Sequence, residues 1–148
     1  MLSLSTLPCP PVGSVLDGPP LPDNLFLSLT LAGSPHAARI ARTAVAAALH
    51  VHGLAACSAA AVQVASELVA TAAKLSPGED VYLSVRYRWD GIRLTVFDGQ
   101  GGRNGPHAHP RIAAARDTAR RSALRFMACV VRECGGVWGF EESREPGG

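Results

Sequence analysis

The sequence predicts an α+β domain in which an antiparallel or mixed sheet carries helices on one face. Three observations predict it. Residues 81–97 read as a hairpin, with apolar residues alternating on either side of a tight-turn dipeptide. Two alanine-rich helices follow one another at about 34–52 and 58–75, with no strand between them. The whole order, β-α-α-β-β-α-β, lacks the regular β-α-β alternation of a doubly wound parallel sheet.

Bulk properties narrow the class. The chain has 148 residues, 47% of them hydrophobic and 18% charged, which is one globular domain with enough material for a core. No uninterrupted apolar run approaches the ~20 residues of a membrane span. Met1-Leu2-Ser3-Leu4-Ser5-Thr6-Leu7 carries no basic residue, so it lacks a secretory n-region, and a cytoplasmic location is expected. A net charge of +2 does not by itself imply a polyanionic partner. Lys74 is the only lysine in an arginine- and alanine-rich chain, a skew typical of high-GC coding. Cys9, Cys57, Cys129 and Cys134 form no Cys-x-x-Cys pair and read as buried free thiols of a reducing compartment.

Residues 1–23 hold Pro8, Pro10, Pro11, Pro19, Pro20 and Pro22 and few charges, the composition of an extended, flexible tail. The domain is expected at 24–143, with a short second tail at 144–148. Leu25, Leu27, Leu29 and Leu31 alternate with other residues, a strand of period two. Ser34-Pro35 supplies an N-cap and a first-turn proline for the first helix, and Gly53 supplies its C′ residue. Ile40, Ala44, Ala47, Ala48 and Val51 are its expected buried face. Ser58 starts the second helix and Ser76-Pro77-Gly78 ends it. Its apolar stripe is Val62, Ala65, Leu68, Val69, Ala72 and Leu75, and Gln63, Glu67, Thr71 and Lys74 form a polar line on the other side.

Val81 to Trp89 alternates with odd positions inward, Asp90-Gly91 is the expected two-residue turn, and Ile92 to Phe97 returns. A glycine-rich loop, a long helix from about Arg111 to Glu133 and a last strand at Val137–Glu141 complete the order. Trp89 and Trp138 are expected in the core.

The candidate site lies between the second helix and the hairpin. Glu67 and Thr71 are one helical turn apart, and Asp98 ends a strand just before Gly99, Gly101 and Gly102. Glycine-rich backbone can bring its N–H groups close to a phosphate or a ring. Taken singly, a glutamate on a polar helix face is usually solvated, and an aspartate before glycine usually forms a turn.

Together these segments resemble the GHKL superfamily of ATP-binding proteins, specifically the actinobacterial anti-sigma-factor serine kinases. The resemblance is carried by Ala41-Arg42-Thr43-Ala44-Val45, Ser66-Glu67-Leu68-Val69-Ala70-Thr71-Ala72, Arg93-Leu94-Thr95-Val96-Phe97-Asp98-Gly99 and Val137-Trp138-Gly139-Phe140. It implies a two-layer α/β sandwich of the GHKL (Bergerat) type with a mixed antiparallel sheet. It also implies Glu67 as general base, Asp98 as acceptor for the adenine amino group, Gly102 in the glycine motif, and ATP with Mg as cofactors. Such domains dimerise, bind a sigma factor and phosphorylate an anti-sigma antagonist.

The chain departs from the family pattern at three places. Thr71 stands where the family has a Mg-binding asparagine, and a threonine hydroxyl is a shorter, carbonyl-free ligand. Gln100 replaces the first glycine after Asp98. No glycine occurs between Gly105 and Gly135, where the family's phosphate lid ends in Gly-x-Gly. Losing a metal ligand and lid amides removes charge stabilisation for phosphoryl transfer. The expectation is therefore a partner-binding regulator with weakened or lost ATP binding.

Two other readings are open. One is an active ATP-dependent serine/threonine kinase with Thr71 as metal ligand. The other is a nucleic-acid binder using Arg116, Arg120, Arg121, Arg125 and Arg132 of the 111–133 helix; Phe126 is the one aromatic residue among them, so a solvated or protein-contacting face ranks first. His50 and His52, two apart on a helix, and His107 and His109 are poor joint metal ligands.

Overall fold

The computed structural model describes residues 20–98 and 110–139. Within them, alternating apolar residues build three strands: β1 (Phe26–Leu31), β2 (Val81–Arg88) and β3 (Gly91–Asp98). They pair antiparallel in the order β1-β2-β3. Leu29 lies opposite Leu83, and Leu83 opposite Val96, so each strand sends its apolar set to the same face. A 3-10 turn at Pro22–Asn24 leads into β1 and buries Leu25.

Two helices cover that face: α1 (Ala37–Val51) and α2 (Ser58–Leu75). Ala37, Ala41, Val45 and Leu49 of α1 and Ala61, Ala65, Val69 and Ala72 of α2 join Val81, Leu83 and Val85 in one core. The small alanines let the two helix backbones approach closely, and the few larger residues fill the space against the sheet. Two further helices, α3 (Pro110–Ala123) and α4 (Arg125–Glu133), follow. Leu124 and Met127 pack on Val64, on the flank of α2, as a second small core. Among the described residues the protein is thus mixed α and β, a three-stranded antiparallel sheet with four α-helices.

The turns follow the sequence signals closely. Gly53 has φ +72°, its N–H bonds His50 O, and the N–H of Leu54 bonds Leu49 O. This is the Schellman ending expected of a C′ glycine. Gly135 and Gly136 close α4 in the same way, on Arg132 O and Val131 O. After α2, Pro77 and Gly78 (φ +80°) form the centre of a turn closed by Glu79 N–H to Ser76 O, the type II pattern. Gly33 lies against this turn so closely that an added Cβ would stand 2.2 Å from Glu79 O.

Several sequence expectations are corrected. The buried face of α1 is Ala37, Ala41, Val45 and Leu49, while Ile40 is 52% and Val51 56% exposed. In so alanine-rich a helix two adjacent stripes look alike, and the bulk of Val45 and Leu49 decides which turns inward. α1 begins at Ala37 rather than at Ser34-Pro35; Ser34 O instead accepts the N–H of Ala37. The hairpin turn is Trp89-Asp90, with φ 49° and 56°, and Arg88 pairs with Gly91. A turn at Asp90-Gly91 would leave every side chain on the same face, so the apolar pattern could not separate the two. Trp89 is accordingly 88% exposed, not core.

The predicted 111–133 helix is broken at Leu124, whose φ of −94° and ψ of 10° leave the helical region as its side chain turns in toward α2. Residues 137–139 form no strand; Val137 is 97% and Trp138 38% exposed. Cys57, Cys129 and Cys134 are free but exposed, not buried. Residues 55–75, containing α2, are long and apolar enough to cross a bilayer, with mean hydropathy 1.3; here that segment is the central helix of the core. The predicted tail at 1–19, the loop at 99–109 with Gln100 and Gly102, and residues 140–148 lie outside the described residues.

Candidate functional site

α2 presents Glu67 half-buried, with Gln63 Nε2 donating to its Oε1 at 3.0 Å one turn earlier. That contact places the two on one line of the helix, as their spacing predicts. Thr71, the next residue on the line, is only 8% exposed. The line descends into packing because α1, the sheet and α4 surround most of α2.

Asp98 is the last residue of β3, opposite Val81. It lies two residues beyond Val96, so it belongs to the helix-covered face of the sheet. There Arg120 of α3 reaches it: Nη2 donates to Oδ2 at 2.5 Å, with the two side chains 25% and 21% exposed. Arg120 also stands 4.0 Å from Asp117, an i,i+3 neighbour that helps hold the guanidinium in place. A short, charge-assisted and partly shielded hydrogen bond of this kind is among the stronger polar contacts a protein makes.

Arg120 thus occupies Asp98 Oδ2, and Thr71 is packed inside. Among the described residues no group of three His, Cys, Asp or Glu side chains is placed to hold a metal. His52 turns its Nδ1 to the Ala48 carbonyl, 2.8 Å away, which ties it to the end of α1.

The other face of the sheet carries a second constellation that the sequence reading passed over. Across the strands, directly opposite residues are Thr30, Tyr82 and Phe97; then Ser28, Ser84 and Thr95; then Phe26, Arg86 and Arg93. Phe26 is 60%, Tyr82 45% and Phe97 47% exposed, so no described element covers this face. A depression of about 510 Å3 runs over it between Phe97 and the hairpin tip, lined by Ser84, Arg86, Arg88, Trp89, Arg93 and Thr95 as well. The Arg86 guanidinium stacks 4.2 Å above the Phe26 ring. The signal was present in the even positions of β2 and the odd positions of β3, where arginine and aromatic residues replace the usual short polar ones.

At the hairpin tip, Tyr87 Oη donates a long, 3.5 Å hydrogen bond to Asp90 Oδ1. Loss of hydration, and then the negative charges of Asp90 and Asp23, push the phenol above its ordinary pKa.

No protein-family model matches the chain, and no curated protein or solved structure matches it significantly.

Proposed function

We propose that the chain is a cytoplasmic regulatory protein resembling an anti-sigma factor, with a GHKL-like core that binds a partner protein and has weakened or lost ATP binding. The partner is a sigma factor, its antagonist or another transcriptional regulator. The observation that carries the second half of this reading is the Arg120–Asp98 ion pair, which engages the acid that would otherwise select adenine. The buried position of Thr71 supports it. The uncovered apolar stripe of α1, with Ile40, Ala44, Ala47 and Val51, supports the protein-binding half. The resemblance at Val137–Phe140 contributes least, because residues 137–139 form no strand.

Isothermal titration calorimetry with Mg·ATP and Mg·ADP tests the reading. Heats indistinguishable from dilution are expected; tight, metal-dependent binding would overturn it in favour of an active kinase. In that case Glu67→Ala should abolish phosphate transfer to the antagonist while leaving the fold intact.

A further inference from the structure

We propose that the open face of the sheet is a binding surface for single-stranded nucleic acid, distinct from the helix-covered face that holds Glu67 and Asp98. Three features point to this occupant. First, Arg86 and Arg93 are direct cross-strand partners. Like charges in that position repel and weaken a sheet unless an anion lies between them. Among the described residues neither is in an ion pair, and no carboxylate lines the depression they share with Arg88. Second, planar rings flank the guanidinium groups: Phe97 at one end of the depression and the exposed Trp89 at the other. Bases stack on such rings whatever their identity, while arginines track the phosphates. Third, the surface is a sheet with exposed rings rather than a protruding helix. Such a platform suits unstacked, single-stranded bases and not the closed edges of a duplex.

Charge complementarity alone would also admit an acidic peptide. The rings separate the two, because stacking rewards bases and gives little to aspartate or glutamate side chains. The arginines of α3 and α4 have a single exposed ring among them, Phe126, and Arg120 is already engaged with Asp98.

The test uses the full chain and fluorescein-labelled dT12 and rU12 oligonucleotides, read by fluorescence anisotropy. Binding is expected to weaken with salt with a log–log slope of about −2, from three arginine–phosphate contacts on a single strand. That slope means roughly a twenty-fold loss between 50 and 200 mM salt. Arg86→Ser with Arg93→Ser should bring the slope to about −0.7, with circular dichroism unchanged because a repulsion has been removed. Phe97→Ala should cost about ten-fold in affinity and leave the slope alone.

Four outcomes would overturn the proposal. They are absence of binding at 50 mM salt, equal affinity for a duplex of the same length, displacement by poly-glutamate at equal charge concentration, and an unchanged affinity in Phe97→Ala. Self-association through this face, seen as a dimer that the double arginine variant dissolves, would also overturn it in favour of a second copy of the chain.

Discussion

Arg120 closes over Asp98 from an element that begins only after the glycine-rich loop, so an ion pair of 2.5 Å ties α3 to the end of β3. The pair is partly shielded rather than fully exposed, which places it above an ordinary surface salt bridge. It is still open enough to water that removing one partner should cost less than it does in a fully buried pair.

Arg120→Ala should lower unfolding stability by about 1–3 kcal/mol, because it leaves a partly buried carboxylate without its donor. Asp98→Asn combined with Arg120→Ala should cost less than the sum of the two. A double-mutant cycle by urea denaturation measures that coupling, and additivity would mean the pair contributes nothing. The calorimetry follows from the same geometry: Arg120→Ala frees Asp98 Oδ2, and any residual adenine-nucleotide affinity should rise in that variant.

The two faces of α1 should respond oppositely to truncation. Leu49 is fully buried, and Leu49→Ala is expected to cost about 2–5 kcal/mol. Ile40 is 52% exposed, and Ile40→Ala should stay within about 0.5 kcal/mol. Comparable losses at both positions would mean that the exposed stripe is covered in solution.

Two glycines are required for different reasons, and alanine separates them. Gly53 has open space around it but a φ of +72°, so Gly53→Ala should cost about 1–2 kcal/mol from backbone strain alone. At Gly33 the added methyl would meet Glu79 O at 2.2 Å and Ser76 O at 3.1 Å. Gly33→Ala must therefore push the Pro77-Gly78 turn away, costing about 1–3 kcal/mol as overpacking does. It should also disturb the amide signals of residues 76–79, which Gly53→Ala leaves in place.

Tyr87 provides a pH probe of the hairpin tip. Its phenol is held above the ordinary value, so the folded protein keeps this proton after the unfolded chain has lost it. The contribution is fully present below the unfolded tyrosine pKa and is lost as pH rises through the folded one. In a Tyr82→Phe background, which leaves Tyr87 as the only tyrosine, ultraviolet titration should show ionisation moving down when Asp90 becomes Asn. No movement would mean that Asp90 does not act on the phenol.

The sequence showed where chain direction is set by local chemistry. α2 runs from Ser58 to Leu75 as its spacing predicts, and Gly53 and Pro77-Gly78 end the helices as their backbone preferences require. It showed less where several placements satisfy the same pattern. Alanine carries too little bulk to reveal which stripe of α1 turns inward, and the hairpin could shift its turn by one residue without moving a side chain to the other face. The positions of Glu67 on a helix and Asp98 at a strand end were legible, but the partner of Asp98 was not. Arg120 lies far along the chain in a helix whose kink at Leu124 depends on tertiary packing, and no local signal announces it.

The placement of β1 has a consequence for how the molecule forms. Leu31 pairs with Val81, yet all of α1 and α2 lies between them in the chain. The β2–β3 hairpin and the α1–α2 pair can each assemble from neighbouring sequence, whereas β1 can dock only after a long loop closes. Until it does, one edge of β2 stands open, a template for another chain's strand. Refolding followed by pulsed hydrogen exchange should find the amides of β1 protected last. Self-association should be greatest in that interval and disappear once β1 is in place.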